Sequence, residues 1–336
     1  MKVLVVGSGI SGLVAARLMR DAGHDVVVLE TREHIGGNCY DYKDAPTGVT
    51  VHKYGPHCLH TNSDTVALFL QRFGKFNDFS PEVWGRIGDG RLVPVPFNLH
   101  GADLVGPKTP EEIRDMIFVD YSEKMWGRPW EQIPENIRKR LPVMRESHEL
   151  RFHQTKYVGV PVDGWTSLLS AMAEGVTVHL NTILGEWISW SRNWADLTIY
   201  TGKLDAFYGY RHGRLPYRSL DIKIERTTRQ RHFQINECNS FNKWTRACDQ
   251  GWWYGKHEDA TIVTREYSVD HTPENEPYYP MRPFSGATEM WEKYDALAKH
   301  ESRTVFLGRL ANYTYIDMGV AVGTVLGKVG KITGVA

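Results

Sequence analysis

Lys2-Val3-Leu4-Val5-Val6-Gly7-Ser8-Gly9-Ile10-Ser11-Gly12-Leu13-Val14-Ala15-Ala16 is an apolar run, a glycine cluster and a helix-forming stretch in direct succession. A second apolar run, Val26-Val27-Val28-Leu29, follows and ends at Glu30. The pattern predicts β-α-β within the first 30 residues, with parallel strands and a right-handed crossover. In the G-x-G-x-x-G spacing, Gly7 allows the tight turn and Gly9 lets the backbone approach a pyrophosphate. Gly12 lets the helix pack closely on the sheet. The first N–H groups of that helix, with Ser11 in its opening turn, face the phosphate anions. Glu30 stands where a carboxylate accepts ribose hydroxyls. An adenine dinucleotide is the expected ligand.

The residues after Glu30 bear on which dinucleotide. Arg32 and the pair Gly36-Gly37, followed by Asn38, suit a loop running along an extended cofactor, which suggests FAD. Val176-Thr177-Val178 and Leu197-Thr198-Ile199-Tyr200-Thr201-Gly202 fit later strands of the same domain. A strand ending in Thr-Gly brings backbone close to a nucleotide, although an ordinary strand with a turn glycine reads the same way.

Further along, Thr304–Leu307 reads as another strand and the tail after Asp317 as a helix. Between these α/β pieces, residues 205–300 carry short alternating runs such as 222–226 and 261–267, and read as mostly β. Trp84–Phe97 reads as strand, turn, strand, and 110–140 as helix broken by Gly127, Pro129 and Pro134. The fold class is therefore α/β: a discontinuous Rossmann-like FAD-binding domain with an inserted β-sheet substrate domain and a reduced helical subdomain. The expected partition gives 1–66, 164–206 and 301–336 to the FAD-binding domain. It gives 75–97 and 207–300 to the β-rich domain, 98–150 to the helical subdomain, and 151–160 to a mobile loop.

Composition narrows the function. The 336 residues carry 40 Lys+Arg against 40 Asp+Glu, so nothing supplies the clustered positive charge that nucleic acid demands. Cys39, Cys58, Cys238 and Cys248 form no C-x-x-C pair, so neither a zinc site nor a redox dithiol is signalled and no metal is expected. Lys328 and Lys331 interrupt the apolar tail, which makes it a poor membrane span. With no leader-like segment, the expectation is a cytoplasmic protein.

Several strings resemble the UDP-galactopyranose mutase family, in that family's order and over nearly the whole chain. They are His52-Lys53-Tyr54-Gly55-Pro56-His57-Cys58-Leu59-His60-Thr61-Asn62, Tyr121-Ser122-Glu123-Lys124-Met125-Trp126-Gly127-Arg128 and Tyr157-Val158-Gly159-Val160-Pro161. Tyr217-Arg218-Ser219-Leu220, Glu276-Pro277-Tyr278-Tyr279-Pro280 and the run Gly308–Met318 complete the set. The resemblance implies a flavoprotein that interconverts UDP-galactopyranose and UDP-galactofuranose without net redox change, for cell-surface glycan synthesis. It implies that the flavin must be reduced, with NADPH or NADH as the expected reductant. It implies that flavin N5 is the nucleophile, through a flavin–sugar adduct and ring opening. No protein Ser or Cys nucleophile is then needed.

By the same resemblance, Arg246 and Arg309 hold the diphosphate, and Tyr121, Tyr279 and Tyr315 donate hydroxyls to it. Phe97, Asn98 and Trp126 line the uridine and sugar pocket. His57 lies beside the flavin, with Arg309 and Tyr315 as its catalytic companions. Tyr54, Asp317 and Met318 join the cofactor set. The chain departs from the family in three places. Lys156, a substrate residue by the resemblance, stands where Arg usually precedes the Tyr-x-Gly-x-Pro string, so the diphosphate clamp keeps its charge and loses the planar fork; Trp165, also a substrate residue, stands where Tyr is common. The stretch from Asn98 to Tyr121 is short, so a homodimer would need an altered interface. The alternatives are an FAD-dependent oxidoreductase of amine-oxidase type and a mutase acting on another UDP-hexose.

Overall fold

The computed structural model describes residues 1–140, 142–182, 185–255 and 260–334. The opening residues form β1 (Lys2–Val6), α1 (Ile10–Asp21) and β2 (Asp25–Leu29). They build a five-stranded parallel sheet in the order Thr177–His179, β2, β1, Leu197–Tyr200, Thr304–Phe306. Such a sheet is covered on both faces, which is why Val3, Leu4 and Val5 are all fully buried. On one face α1 packs with the Trp165–Met172 helix and with Val322, Val325 and Val329 of the Met318–Thr333 helix. On the other, Trp190 and Trp194 cover Leu4, Val27 and Leu29. Trp190 belongs to a helix, Glu186–Asn193, that no apolar periodicity in the sequence announces.

A seven-stranded, mostly antiparallel sheet stands beside it. Its order is Tyr279–Pro280, Tyr217–Thr228, Ala260–Asp270, Arg246–Asp249, Gln234–Glu237, Val83–Arg86, Leu92–Pro94. The two long strands pair without a break from Arg218↔Asp270 to Thr228↔Ala260. The alternating runs marked only their middles. Tyr217–Leu220 is buried at one end of its strand, whereas the last residues of that strand are exposed and carry no inside–outside pattern. The one parallel pairing, Gln234–Glu237 with Val83–Arg86, is where the 83–94 hairpin joins the later segment.

The helical stretch between them is built from short pieces: Leu99–Val105, Pro110–Ile113, Arg114–Val119, Asp120–Trp126, Trp130–Gln132 and Glu135–Arg138. Thr109 and Glu112 close a capping box at its start. Gly127, at φ 63°, stops the Asp120–Trp126 helix in the left-handed conformation, and Pro129 and Pro134 each precede a new turn. Ser63 caps the Asp64–Gln71 helix through a bond from the Val66 amide. No helix among the described residues is long and apolar enough to cross a membrane.

The β1–α1 turn has no spare room. A Cβ at Gly12 would sit 1.9 Å from the Gly7 carbonyl oxygen, and one at Gly7 would sit 2.2 Å from Thr201 Oγ1. The Gly12→Ala chain is expected to lose its bound dinucleotide and most of its soluble yield, read from the flavin-to-protein absorbance ratio after purification. A normally loaded G12A protein would show that the helix backs off the sheet without cost.

Candidate active site

A cleft of about 480 Å³ opens where the glycine turn meets the later strands. Gly7, Gly9, Ser11, Gly12, Glu30, Arg32, Gly37, Asn38, His57, Gly202, Arg309, Asp317 and Met318 all line it. Only Tyr54 and Val178 of the expected cofactor residues stand outside the lining. Val178 lies in the edge strand opposite Val28 and packs into the core. Tyr54 acts one residue removed: Arg32 lies 4.3 Å from its ring, and its hydroxyl meets His34 Nε2 at 2.8 Å.

The Glu30 carboxylate accepts the Ser8 amide and hydroxyl at 2.8 and 2.7 Å and the Arg32 amide at 2.9 Å. It fixes the glycine turn as well as ending β2. Arg32 pairs with Glu276 and with Asn38, yet its Nη1 is buried with no partner. An orphaned guanidinium nitrogen in this cleft suits a ligand rich in oxygen acceptors. Gly37 approaches so closely that its Cβ would lie 2.8 Å from Gly9 Cα. These residues fit an FAD-sized dinucleotide laid over two glycine turns.

His57 is held by its backbone and its ring. Its amide donates to His52 Nδ1 at 3.1 Å, and its carbonyl accepts Trp165 Nε1–H at 2.9 Å. His57 Nδ1 is 2.8 Å from the Gly55 carbonyl, which can only accept, so Nδ1 carries the proton. Burial first, and then the His52 ring, push the His57 pKa down to about 3. His57 is therefore a neutral imidazole with its Nε2 lone pair free of that bond.

Beyond His57 the aromatic and cationic residues converge. Trp126 lies 6.1 Å from Tyr279 and 6.4 Å from Tyr315, and Tyr279 lies 5.3 Å from Tyr315. Arg309 sits over the Tyr315 ring at 5.0 Å and donates to the carbonyls of Tyr278 and Ile316. Arg246 donates to Glu266 at 2.6 Å from a strand deep in the sheet. Burial works against its charge, but Glu266, Tyr279 and Tyr121 outweigh that and raise its pKa well above the ordinary value. The guanidinium stays charged. Burial raises the Tyr121 and Tyr279 phenols, so both remain hydroxyl donors.

Four expected substrate residues are not brought to this cluster. Phe97 is fully buried among Val83, Val93, Ile113 and Ile117. Asn98 is spent as a helix cap: its side chain accepts the Gly101 amide and donates to the Glu149 carbonyl. Trp165 is fully buried in the core and reaches the site only through its bond to His57. Lys156 is exposed and pairs with Asp64 at 2.6 Å. Within residues 151–160, expected as a mobile loop, Tyr157–Gly159 pairs with Leu59–Thr61 and the Lys156 amide bonds Asn62.

Two residues were missed. Arg140 lies 4.0 Å from the Tyr315 ring, just after the Glu135–Arg138 helix. Nothing periodic marks it. Glu266 could have been found, because it shares the inward parity of Ile262 and Thr264 in an alternating strand. A carboxylate at such a position requires a buried cation.

Fold and site together define an enzyme of the Rossmann-like dinucleotide-binding class, with a cluster of aromatic and cationic side chains next to the Arg309 that lines its cleft. The sequence model of the UDP-galactopyranose mutase family matches residues 116–315, and that of an NAD(P)-binding Rossmann-like domain matches 5–73. A "Probable UDP-galactopyranose mutase" of Klebsiella pneumoniae is 32% identical over 96% of this chain and 92% of its own length. A "dTDP-fucopyranose mutase" of Escherichia coli is 30% identical over 96% and 95%. A crystal structure of reduced UDP-galactopyranose mutase superposes with a TM-score of 0.74, covering all of this chain and 96% of the other, at 17% identity. The chain belongs to the UDP-galactopyranose mutase family and is an isomerase.

The His52 ring that holds His57 is buried, stacked 4.6 Å from Trp253, and its pKa is pushed down to about 3 by burial. A histidine near 6.5 when unfolded and lower when folded contributes stability above that value and loses it as pH falls. Urea unfolding should therefore weaken from pH 7 to pH 5. His52→Gln should flatten the decline by about 1 kcal/mol per pH unit below about 6.5. Parallel declines in both proteins would show that other groups carry the acid sensitivity.

Proposed function

We propose that the chain interconverts UDP-galactopyranose and UDP-galactofuranose, with reduced FAD in the cleft and the nucleotide sugar in the aromatic–cation chamber. The observation that carries this reading is the Arg246–Glu266 pair, buried beside Tyr121, Tyr279 and Tyr315 and within electrostatic reach of the cleft-lining His57. A guanidinium there, with Arg309 and Arg140 on Tyr315, suits a diphosphate leaving group that must be released and recaptured. The Glu266 carboxylate aims Arg246 without consuming its whole fork, because the pairing uses Nε.

When bound and reduced, the flavin would supply the nucleophilic chemistry at the anomeric carbon, and Gly7, Gly9, Gly12, Glu30, Arg32 and His57 would hold it. The protein's part is to hold the departing UDP and to exclude water. Arg246, Arg309 and Arg140 retain the diphosphate, and the buried Tyr121 and Tyr279 hydroxyls donate to its oxygens. Trp126 forms the apolar wall against which a sugar packs. His57 presents a lone pair, not a positive charge, on the cofactor side. A nicotinamide dinucleotide is the reductant consistent with this chemistry, and the cytoplasm is the compartment that supplies it. The near-equal identity to the Escherichia coli enzyme favours one second reading, a mutase acting on a thymidine-linked hexose through the same diphosphate contacts.

Purified protein should convert UDP-galactofuranose to UDP-galactopyranose with dithionite and not without it, followed by ion-pairing chromatography. Conversion of dTDP-fucofuranose alone would replace the sugar. Conversion of neither would overturn the mutase assignment for this chain. Arg309→Ala should lower turnover about a hundredfold or more while flavin stays bound, the range typical for loss of one preorganised charged donor.

The two loop cations separate cleanly. Arg140→Ala should weaken UDP binding by about tenfold, on the order of 1.4 kcal/mol, whereas Lys156→Ala should change it by less than about twofold. Tryptophan-fluorescence titration with UDP reads both. The reverse order would return the diphosphate clamp to the 151–160 segment.

A further inference from the structure

Lys124 lies in the Asp120–Trp126 helix, one turn after Tyr121 and two residues before Trp126. Its ammonium reaches out of the helix into the turn that joins Gln234–Glu237 to Arg246–Asp249. There it donates to four backbone carbonyls: Glu237 at 2.8 Å, Asn239 at 2.7 Å, Asn242 at 3.1 Å and Trp244 at 3.2 Å. Three N–H bonds serve four acceptors, so at least one is shared. Carbonyl dipoles converging on one point repel each other, and only a compact cation satisfies them together. The arrangement is that of a cation cage with a lysine as its cation.

The caged turn is braced from its other side. The buried Glu237 carboxylate accepts Arg86 Nε at 3.1 Å and the side-chain amides of Asn239 and Asn242 at 3.2 and 3.0 Å. The turn then runs straight into the site. Thr245 donates through its amide to the Glu266 carbonyl at 2.8 Å, and the next residue is Arg246. Meanwhile Arg218, from the Tyr217–Thr228 strand two places away in the sheet, donates back to the Met125 carbonyl at 3.1 Å.

We propose that Lys124 is a positioning residue for the diphosphate site, setting the distance between the helix that carries Tyr121 and Trp126 and the strand end that carries Arg246. The inference rests on the reading of Arg246 as a UDP ligand. Lys124 touches neither cofactor nor substrate; it acts through the Glu237–Trp244 turn. Without its ammonium the turn must splay to hydrate its carbonyls. Arg246 would then lose its register against Glu266 and Tyr121.

The test is a double-mutant cycle on FAD-loaded protein, with UDP affinity measured by calorimetry. Arg246→Ala alone should weaken UDP; if it does not, the diphosphate reading is what fails, and this proposal, which rests on it, falls with it. Lys124→Met should weaken UDP about tenfold with flavin content unchanged, and the loss should shrink to within about twofold in the Arg246→Ala background, because coupled residues are non-additive. Lys124→Ala should regain affinity with ethylammonium chloride, which refills the cage, and not with sodium chloride at the same concentration. Wild-type affinity in Lys124→Met, or fully additive losses, would overturn the proposal. Should Lys124→Met not yield flavin-loaded protein, Lys124→Gln, which keeps two donors, is read in its place. Failure of both to load flavin would also overturn it, since the residue would then serve the fold at large.

Discussion

One buried ion pair organises the chamber side of the molecule. Arg246 and Glu266 meet at 2.6 Å between two strands of the large sheet, and the Glu266 side chain is almost wholly buried. Removing two charges from water costs several kcal/mol per ion unless each finds its complement. Neighbouring contacts are arranged around that requirement. Thr245 ties the Glu266 carbonyl, and the Tyr121 and Tyr279 phenols stand within Arg246's field. Gly55 of the signature loop approaches so near that a Cβ there would lie 3.0 Å from Glu266 Oε1. That oxygen is buried with no partner. A buried carboxylate with one oxygen paired and the other not is an unfinished hydrogen-bond network.

The cofactor side is organised differently, by close backbone approach instead of charge. Gly7, Gly12 and Gly37 each stand where a side chain would collide with backbone or with Thr201. The two organising devices meet at His57. Asp41 accepts the Trp165 and Thr166 amides at the start of a core helix, and Trp165 in turn bonds the His57 carbonyl. His52 receives the His57 amide and stacks on Trp253. A core helix, a short hairpin and the large sheet thus converge on one imidazole. Its neutral state follows from that burial and not from any catalytic partner.

The parts of this arrangement legible in the sequence are those with a local cause. Gly7, Gly9, Gly12 and Glu30 announce the cleft because a short β-α-β unit states its own geometry. Arg246, Arg309, Tyr121, Tyr279 and Tyr315 were reached through motif order, since nothing in their local spacing says that strands from distant parts of the chain meet. Phe97 and Asn98 went astray for a physical reason. They sit beside the site in sequence, but the helix that begins at Leu99 turns Phe97 into the core and takes Asn98 as its cap. Lys156 misled in the same way. Its charge suggested a phosphate clamp, while strand pairing at Tyr157–Gly159 directs it to Asp64.

The helical stretch bears on all of this, because its short pieces bring Tyr121, Trp126 and Arg140 to one cluster around Tyr315. It has few long helices to do so, and short helices are marginal by themselves. The fixing therefore comes from side chains that reach across to the sheet. Lys124 goes outward to four carbonyls and Arg218 comes inward to the Met125 carbonyl. Trp126 packs on Tyr279, and Glu123 accepts the Trp130 amide at 2.8 Å to hold the next turn. A stretch built from such short helices keeps its geometry if its turns borrow rigidity from a neighbouring sheet. The Tyr121–Arg128 string reads, in that light, as the minimum that does both jobs. Tyr121 and Trp126 stand against Arg246, Tyr279 and Tyr315, and the charged pair between them, Glu123 and Lys124, ties the helix to the Trp130 turn and to the Glu237–Trp244 turn.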